Sequence, residues 1–331
     1  MNKRGLLDFL IVRIPELSPG EKITLLEKFD KEDDFVRFGT VSGIESIIAR
    51  KLKKTWSIDK IRAQAEQDAK ITQIRGIKYV AWNHVEYPPL LREISNPPPV
   101  LFYRGNLPDP EKPLVAIVGT RHPSPQAAAH TYDISNELAR MGIQVVSGLA
   151  LGIDSMAHRG NLEGGGCTFA VLGSGADEVY PHSNRFLASR ILETGGGFIS
   201  EYPPGTPPFK SNFPARNRII SGMARGVLIA EAPESSGALI TAYYALDHNR
   251  DLWVSSFGAD ASMSGRFDRR GSIKLAENGA KIISRACDIL KDWNMEIPPD
   301  YYSEKAHNDM IQNNCGRALA EAVARSINTE L

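Results

Sequence analysis

Apolar residues follow two different periods along the chain, and the change between them divides it. Up to about residue 75 they recur every three or four positions. Leu6, Leu7, Phe9, Leu10 and Ile14 make one helical face. A second helix starts after Ser18-Pro19-Gly20, with Ser18 as cap and Pro19 in the first turn, where its missing N–H costs nothing. Ile44, Ile47 and Ile48 mark another, and a longer helix runs over 58–74. Residues 1–75 therefore read as a small helical domain. Residues 76–112 hold two proline runs, Tyr87-Pro88-Pro89 and Pro97-Pro98-Pro99, that push the backbone toward extended forms. They predict an extended connector leading into a short strand.

From Pro113 short apolar runs alternate with helical stretches. Strands are expected at 114–118, 143–146, 168–172, 198–199, 227–230, 252–255 and 281–283. Between the first two lies a helix over 125–141, capped by Ser124 with Pro125 at its first turn, and another runs from Asp154 to about Glu163. Continuous apolar runs are what strands buried on both faces require. Strands alternating with helices of this length imply right-handed crossovers and an α/β, doubly wound parallel sheet over residues 113–290. After Leu290 the pattern weakens. Residues 297–301 read as a break, and 318–327 as one amphipathic helix within a short extension, 291–331.

Charge changes the picture locally. Over 331 residues, 39 basic and 39 acidic side chains cancel, so the chain is no generally basic coat and any nucleic-acid site must be local. Between Tyr202 and Ala230 there is no acidic residue, yet Lys210, Arg216, Arg218 and Arg225 are present with Phe213 among them. Cations with an aromatic are what phosphate contact plus base stacking requires. A solvated basic helix start is the competing reading of this segment. No apolar stretch approaches a bilayer span and the first residues lack a signal-peptide pattern, so a cytoplasmic protein without membrane contact is expected. Cys167, Cys287 and Cys315 lie far apart, against a disulfide framework or a zinc site.

In open parallel sheets ligands bind at the carboxyl ends of the strands. The loops there carry Gly119-Thr120-Arg121, Ser147-Gly148 with Gly152 and Asp154, Gly173-Ser174-Gly175, Glu201 with the basic loop, and Glu231 followed by Ser236-Gly237 and Thr241. Small residues let a phosphate approach the backbone, and helix N-terminal amides then hold it. Arg121, Lys210, Arg216 and Arg218 are expected to converge on that rim. No Gly-x-x-x-x-Gly-Lys-Ser/Thr loop is present, and Gly173-Ser174-Gly175 lacks the third glycine of a dinucleotide fingerprint, Glu178 standing in its place. The seven histidines show no metal-ligand spacing. His158 lies one helical turn after Asp154 and is placed to share hydrogen bonds with it. Glu201 and Glu231 are expected to anchor nearby arginines and backbone amides. Ser236 has no base partner and sits in no nucleophile elbow. No cofactor, metal or catalytic residue is expected.

Together these pieces resemble the DNA-processing protein A (DprA, or Smf) family. The matching stretches run from Tyr87-Pro88-Pro89-Leu90-Leu91 through Val115-Ala116-Ile117-Val118-Gly119-Thr120-Arg121, Ser147-Gly148-Leu149-Ala150, Ala170-Val171-Leu172-Gly173-Ser174-Gly175, Tyr180-Pro181 with Asn184-Arg185, and Ser200-Glu201-Tyr202-Pro203-Pro204-Gly205. They continue with Phe213-Pro214, Arg216-Asn217-Arg218-Ile219-Ile220-Ser221-Gly222 and Ser236-Gly237-Ala238-Leu239-Ile240-Thr241-Ala242. The resemblance implies an extended Rossmann-like domain that binds single-stranded DNA, forms homodimers and loads the RecA recombinase in natural transformation. It also implies that the preceding helices are sterile-alpha-motif-like. Its DNA contacts map onto Arg121, Lys210, Arg216 and Arg218, with Phe213 as the stacking aromatic, and the site is completed by Gly119, Thr120, Ser147, Gly148, Asn217, Ser236, Gly237 and Thr241. Three features depart from the family pattern. Ser235 stands where many members have a basic residue. Val254-Ser255-Ser256-Phe257-Gly258 replaces Val-Pro-Gly, and Arg270-Gly271-Ser272-Ile273-Lys274-Leu275-Ala276 replaces Arg-Gly-Cys-Asn-x-Leu-Ile. Arg266, Arg269 and Arg270 are the secondary candidates that compensate there. Residues 291–331 are too short and weakly patterned for the winged helix many members carry. The alternative function is a Rossmann-like enzyme such as a nucleoside-monophosphate phosphoribohydrolase, although the Gly-Gly pair of that family's loop is missing.

Overall fold

The computed structural model describes residues 6–262 and 267–298. Five helices come first: α1 Leu7–Arg13, α2 Pro19–Lys28, α3 Glu32–Phe38, α4 Val41–Ile48 and α5 Ile58–Ile74. The Ser18 hydroxyl accepts the Glu21 N–H, and the Glu21 carboxylate accepts the Ser18 N–H, so a full capping box starts α2. Strands β1 Lys78–Ala81 and β2 Val100–Gly105 follow, with the single turn α6 Pro89–Arg92 between them. Then β3 Leu114–Val118, β4 Gln144–Ser147, β5 Thr168–Val171, β6 Gly197–Ser200, β7 Gly226–Ile229, β8 Asp251–Ser255 and β9 Lys281–Ile283 alternate with helices. These are α7 Pro125–Arg140, α8 Ile153–Glu163, α9 Arg185–Glu193, α10 Asn212–Met223, α11 Gly237–Asp247, the short α12 Ser256–Ala259, α13 Arg270–Glu277 and α14 Ala286–Asp292.

Among the described residues the strands form one sheet in the order β1-β2-β6-β5-β4-β3-β7-β8-β9. From β6 to β9 all neighbours are parallel, whereas β1–β2 and β2–β6 are antiparallel. The fold is α/β and Rossmann-like, and the chain reverses its direction of strand addition between β3 and β7. The apolar runs split by alternation. Leu114, Ala116 and Val118 face Ile219, Ile220 and Met223 of α10 and Ala238, Ala242 and Ala245 of α11. Val115 and Ile117 face Ile134 and Leu138 of α7, Ile153 and Ala157 of α8, and α14. Both faces are therefore covered, as a parallel sheet requires.

One expectation changes. Residues 76–112 contribute two antiparallel strands that extend the sheet past β6, where the sequence predicts a connector with one short strand. A run as brief as Lys78–Ala81 carries too little alternation to be seen alone, and its pairing with β2 is imposed by the proline segments between them. The Tyr87 hydroxyl donates to the Pro98 carbonyl at 2.8 Å, and the Trp82 N–H to the Pro99 carbonyl at 2.9 Å, which closes the excursion. The helical domain packs on this addition. Phe9 of α1 meets Tyr79 edge-on at 4.8 Å and Phe102 at 5.7 Å, and one continuous apolar cluster joins α1–α5 to Ala81, Val100 and Phe102. The expected helix over 318–327, most of the expected break at 297–301, and Arg266 lie outside the described residues.

Phe102 has no exposed surface and supports both bodies. Phe102→Ala is expected to lower the unfolding free energy by about 3–5 kcal/mol, read as a drop in denaturant midpoint. A loss under about 1 kcal/mol would mean that the helical domain and the sheet do not share this core.

Candidate nucleic-acid interface

The carboxyl ends of β3, β4 and β5 each carry a glycine, and each gap beside it is already filled. A Cβ built on Gly119 would lie 2.6 Å from the Ile153 side chain and 2.9 Å from the Glu231 carbonyl. On Gly148 it would lie 2.6 Å from the Arg216 guanidinium, and on Gly173 2.9 Å from the Phe213 ring. These glycines were expected to admit a phosphate to the backbone; instead they seat the protein's own side chains.

Arg216 is only 4% exposed. Its Nη1 donates to the Gly148 carbonyl at 2.9 Å and to the Val171 carbonyl. Burial weakens this cation, pulling its pKa down to about 10, while the nearby Asp154 carboxylate holds it up. Asp154 lies in the first turn of α8 and accepts the Gly148 N–H at 3.1 Å and the Ala150 N–H at 3.3 Å. Burial raises its pKa, and Arg216 opposes the rise. Arg218 is 8% exposed and forms a two-pronged ion pair with Glu201, both N···O distances being 2.6 Å, while its Nε donates to the Asn96 carbonyl at 3.0 Å. Neither arginine offers a free charge to the rim, contrary to the expectation that both contact phosphate. A helix packed on a sheet must turn some side chains inward, and here the inward positions carry guanidinium groups with partners waiting. Arg225 is carried to the other end of the molecule, where its N–H meets the Leu114 carbonyl and its guanidinium lies 4.5 Å from the Trp293 ring centre.

Arg121 and Lys210 are exposed, as expected. The Arg121 guanidinium lies 6.0 Å from the centre of the half-buried Phe213 ring. The N-terminus of α10 is tied to the end of β5, since Asn212 Nδ2 donates to the Gly173 carbonyl at 2.9 Å. Asn217 Nδ2 donates to the Gly237 carbonyl at 3.1 Å and so links α10 to α11. Ser236 caps α11 by accepting the Ala238 N–H, Gly237 faces open space, and Thr241 is buried with its hydroxyl unpartnered among the described residues. Thr120 and Ser147 are also buried. The Thr120 N–H goes to the Glu231 carbonyl at 2.7 Å, and the Ser147 hydroxyl to the Ile117 carbonyl at 2.6 Å.

The crevice at the β3–β7 reversal, where open α/β sheets commonly hold a nucleotide, is filled from within. The Glu231 carboxylate accepts the Ser124 N–H at 2.6 Å and the Ser124 hydroxyl at 3.1 Å, and pairs with Arg269 at 3.1 Å. Burial pushes the Glu231 pKa up, and these partners oppose it. Arg269 is thus an internal counter-charge and not an exposed DNA contact. Arg270 is exposed but already paired with Asp268 at 2.8 Å. Glu201 and Glu231 anchor arginines and amides, as expected.

His158 does not meet Asp154. It reaches β5, where Nδ1 lies 2.7 Å from the Thr168 hydroxyl. That hydroxyl donates to the Val145 carbonyl at 2.9 Å, so Nδ1 carries the hydrogen and Nε2 is bare, without a partner among the described residues. Of two residues that the basic pattern left out, one reaches the rim and the other follows it in the same turn. Tyr180 lies 5.6 Å from Phe213, and Arg185 is exposed four residues after Pro181. Their only sequence signal is the pair of short stretches Tyr180-Pro181 and Asn184-Arg185.

Compared with known proteins, residues 78–294 match the family model for DNA recombination-mediator protein A. The chain is 47% identical to Protein Smf of Synechocystis sp. over 222 residues, 66% of this chain and 54% of that protein. It is 38% identical to DNA processing protein DprA of Bacillus subtilis, covering 66% of this chain and 72% of that one. Among solved structures it is similar to DNA processing protein A of Streptococcus pneumoniae, with TM-score 0.69 and 31% identity over 89% of this chain and all of that one. It is also similar to DNA processing protein A of Helicobacter pylori, a structure described for its single-stranded DNA binding mode, with TM-score 0.55, 28% identity, and coverage of 66% and 97%.

Burial drags the His158 pKa down from 6.5 to about 3. The unfolded chain therefore takes up a proton that the folded chain refuses, and His158's contribution to stability is present above about pH 6.5 and is lost as pH falls toward 3. At 1.36 kcal/mol per unit this amounts to several kcal/mol. His158→Asn is expected to flatten that part of the stability–pH curve, and an unchanged slope would refute the assignment. Glu201→Ala leaves Arg218 buried without its counter-charge and is expected to cost about 3–5 kcal/mol by denaturant unfolding.

Proposed function

The chain belongs to the DNA recombination-mediator protein A family, and we propose that it binds single-stranded DNA along the rim formed by Arg121, Lys210 and Phe213. The observation that carries this reading is the grouping of an exposed Arg121 against the Phe213 ring, with exposed Lys210 in the turn that enters the same helix. Two cations beside an aromatic suit a backbone and a base in sequence-tolerant contact. The binding mode for which the Helicobacter pylori relative is described supports the same reading.

On this reading Arg216 and Arg218 act indirectly, by fixing α10, while Gly148 and Gly173 set its close approach and Gly119 admits Ile153 of α8. The protein processes DNA in transformation or recombination, works as a homodimer in the cytoplasm, passes its strand to the RecA recombinase, and has no catalysis of its own. The engagement of both rim carboxylates, Glu201 by Arg218 and Glu231 by Ser124 and Arg269, weighs against a phosphoribohydrolase. Among the described residues no helix is long and apolar enough to cross a membrane.

Fluorescence anisotropy of a labelled poly-dT strand over a salt series, with a duplex control, tests the proposal. Arg121→Ala and Lys210→Ala are each expected to weaken binding and lower the salt slope by about 0.7. Phe213→Ala is expected to cost about 1–3 kcal/mol of affinity with the slope unchanged. Absence of binding at low salt, or binding indifferent to all three changes, would refute it.

A further inference from the structure

The turn between β5 and α9 presents aromatic surface beside Phe213. Tyr180 is 42% exposed. Its ring centre lies 5.6 Å from that of Phe213 with the planes at 41°, and 6.3 Å from that of His182. Arg185 is exposed, with Nη2 3.2 Å from His182 Nδ1, and no carboxylate among the described residues forms an ion pair with it.

This turn is held from several sides. Asn184 is buried, and its Nδ2 donates to the Leu149 carbonyl at 2.9 Å and the Ser155 hydroxyl at 3.0 Å. The Ser174 hydroxyl donates to the Glu178 carbonyl at 2.9 Å, and Asp177 accepts the Gly205 N–H at 2.9 Å. Tyr180 is thus a half-exposed aromatic on a fixed support. A fixed ring with two side-chain torsions loses little entropy when a flat partner covers it. The tilt between the two rings is inconsistent with one base lying flat on both, so each serves its own.

Resting on the reading of this rim as a single-strand site, we propose that Tyr180 and Arg185 form a second nucleotide subsite next to that of Phe213. Tyr180 stacks on the neighbouring base, and Arg185 neutralises the phosphate of that nucleotide. The strand then turns between the two rings, with Arg121 near Phe213 and Arg185 beside His182, the ring that neighbours Tyr180. The competing role for Tyr180 is to prop the Phe213 ring by packing alone.

The test uses the full chain and a strand of about six nucleotides, short enough to fix the register, intact or with one abasic position moved along it. Tyr180→Ala is expected to weaken binding of the intact strand about tenfold, with Tyr180→Phe close to wild type. Tyr180→Leu, which keeps apolar bulk against Phe213 but removes the ring, is expected to weaken it as alanine does. One abasic position should cost wild type affinity but cost Tyr180→Ala nothing, and the adjacent position should behave so for Phe213→Ala. Arg185→Ala is expected to lower the salt slope by about 0.7. If Tyr180→Leu restores wild-type affinity, or if Tyr180→Ala binds normally while Phe213→Ala is weakened, the second subsite is overturned and the single-strand reading stands. If wild type does not bind at all, that reading falls and takes the subsite with it.

Discussion

A buried guanidinium fixes the geometry of this rim. Arg216 lies beneath Gly148, bound to the carbonyls at the ends of β4 and β5 and balanced by Asp154. A cation so placed is costly to desolvate and more costly to leave unpaired. Its partners therefore set the position of α10, and with it Phe213, which lies one helical turn earlier and packs against Gly173. Arg218 secures the same helix from another side through Glu201 and the Asn96 carbonyl. The charges that looked most like ligands form the support, and the exposed Arg121 and Lys210 stand on it.

This explains what could and could not be read from the chain. Strands β3 to β9 were legible because runs such as Leu114–Val118 are apolar throughout and separated by helical stretches. Strand β1 was not, since four residues of mixed character acquire strand identity only from the partner that tertiary folding supplies. Arg121, Lys210 and Phe213 were legible from charge and aromatic pattern. Arg216 and Arg218 could not be told apart from them, because a linear sequence shows a charge but not the distant carboxylate or carbonyl that meets it. Glu201 was the available clue, being legible as an anchor but with no named partner. The same limit misdirected His158, whose helical spacing to Asp154 is real while its ring points to Thr168 on β5.

The helical domain is electrostatically joined to this scaffold. Lys22 of α2 donates to the Val12 carbonyl at 2.6 Å; burial lowers its pKa to about 8, while the field of Glu201 opposes that fall. The contact of Phe9 on Phe102, within the apolar cluster that α1–α5 share with β1 and β2, makes these helices part of the support behind the sheet.

The sheet also has consequences at its two ends. Its outermost strands are β1, four residues long, and β9, three residues long, and each begins with a lysine. Lys281 is further drawn onto Asp292 of α14. Such short, charged borders give an incoming strand few main-chain groups to pair with, a common protection against edge-to-edge aggregation. Among the described residues, then, neither border of the sheet offers a long open edge through which two copies of this chain could fuse their sheets.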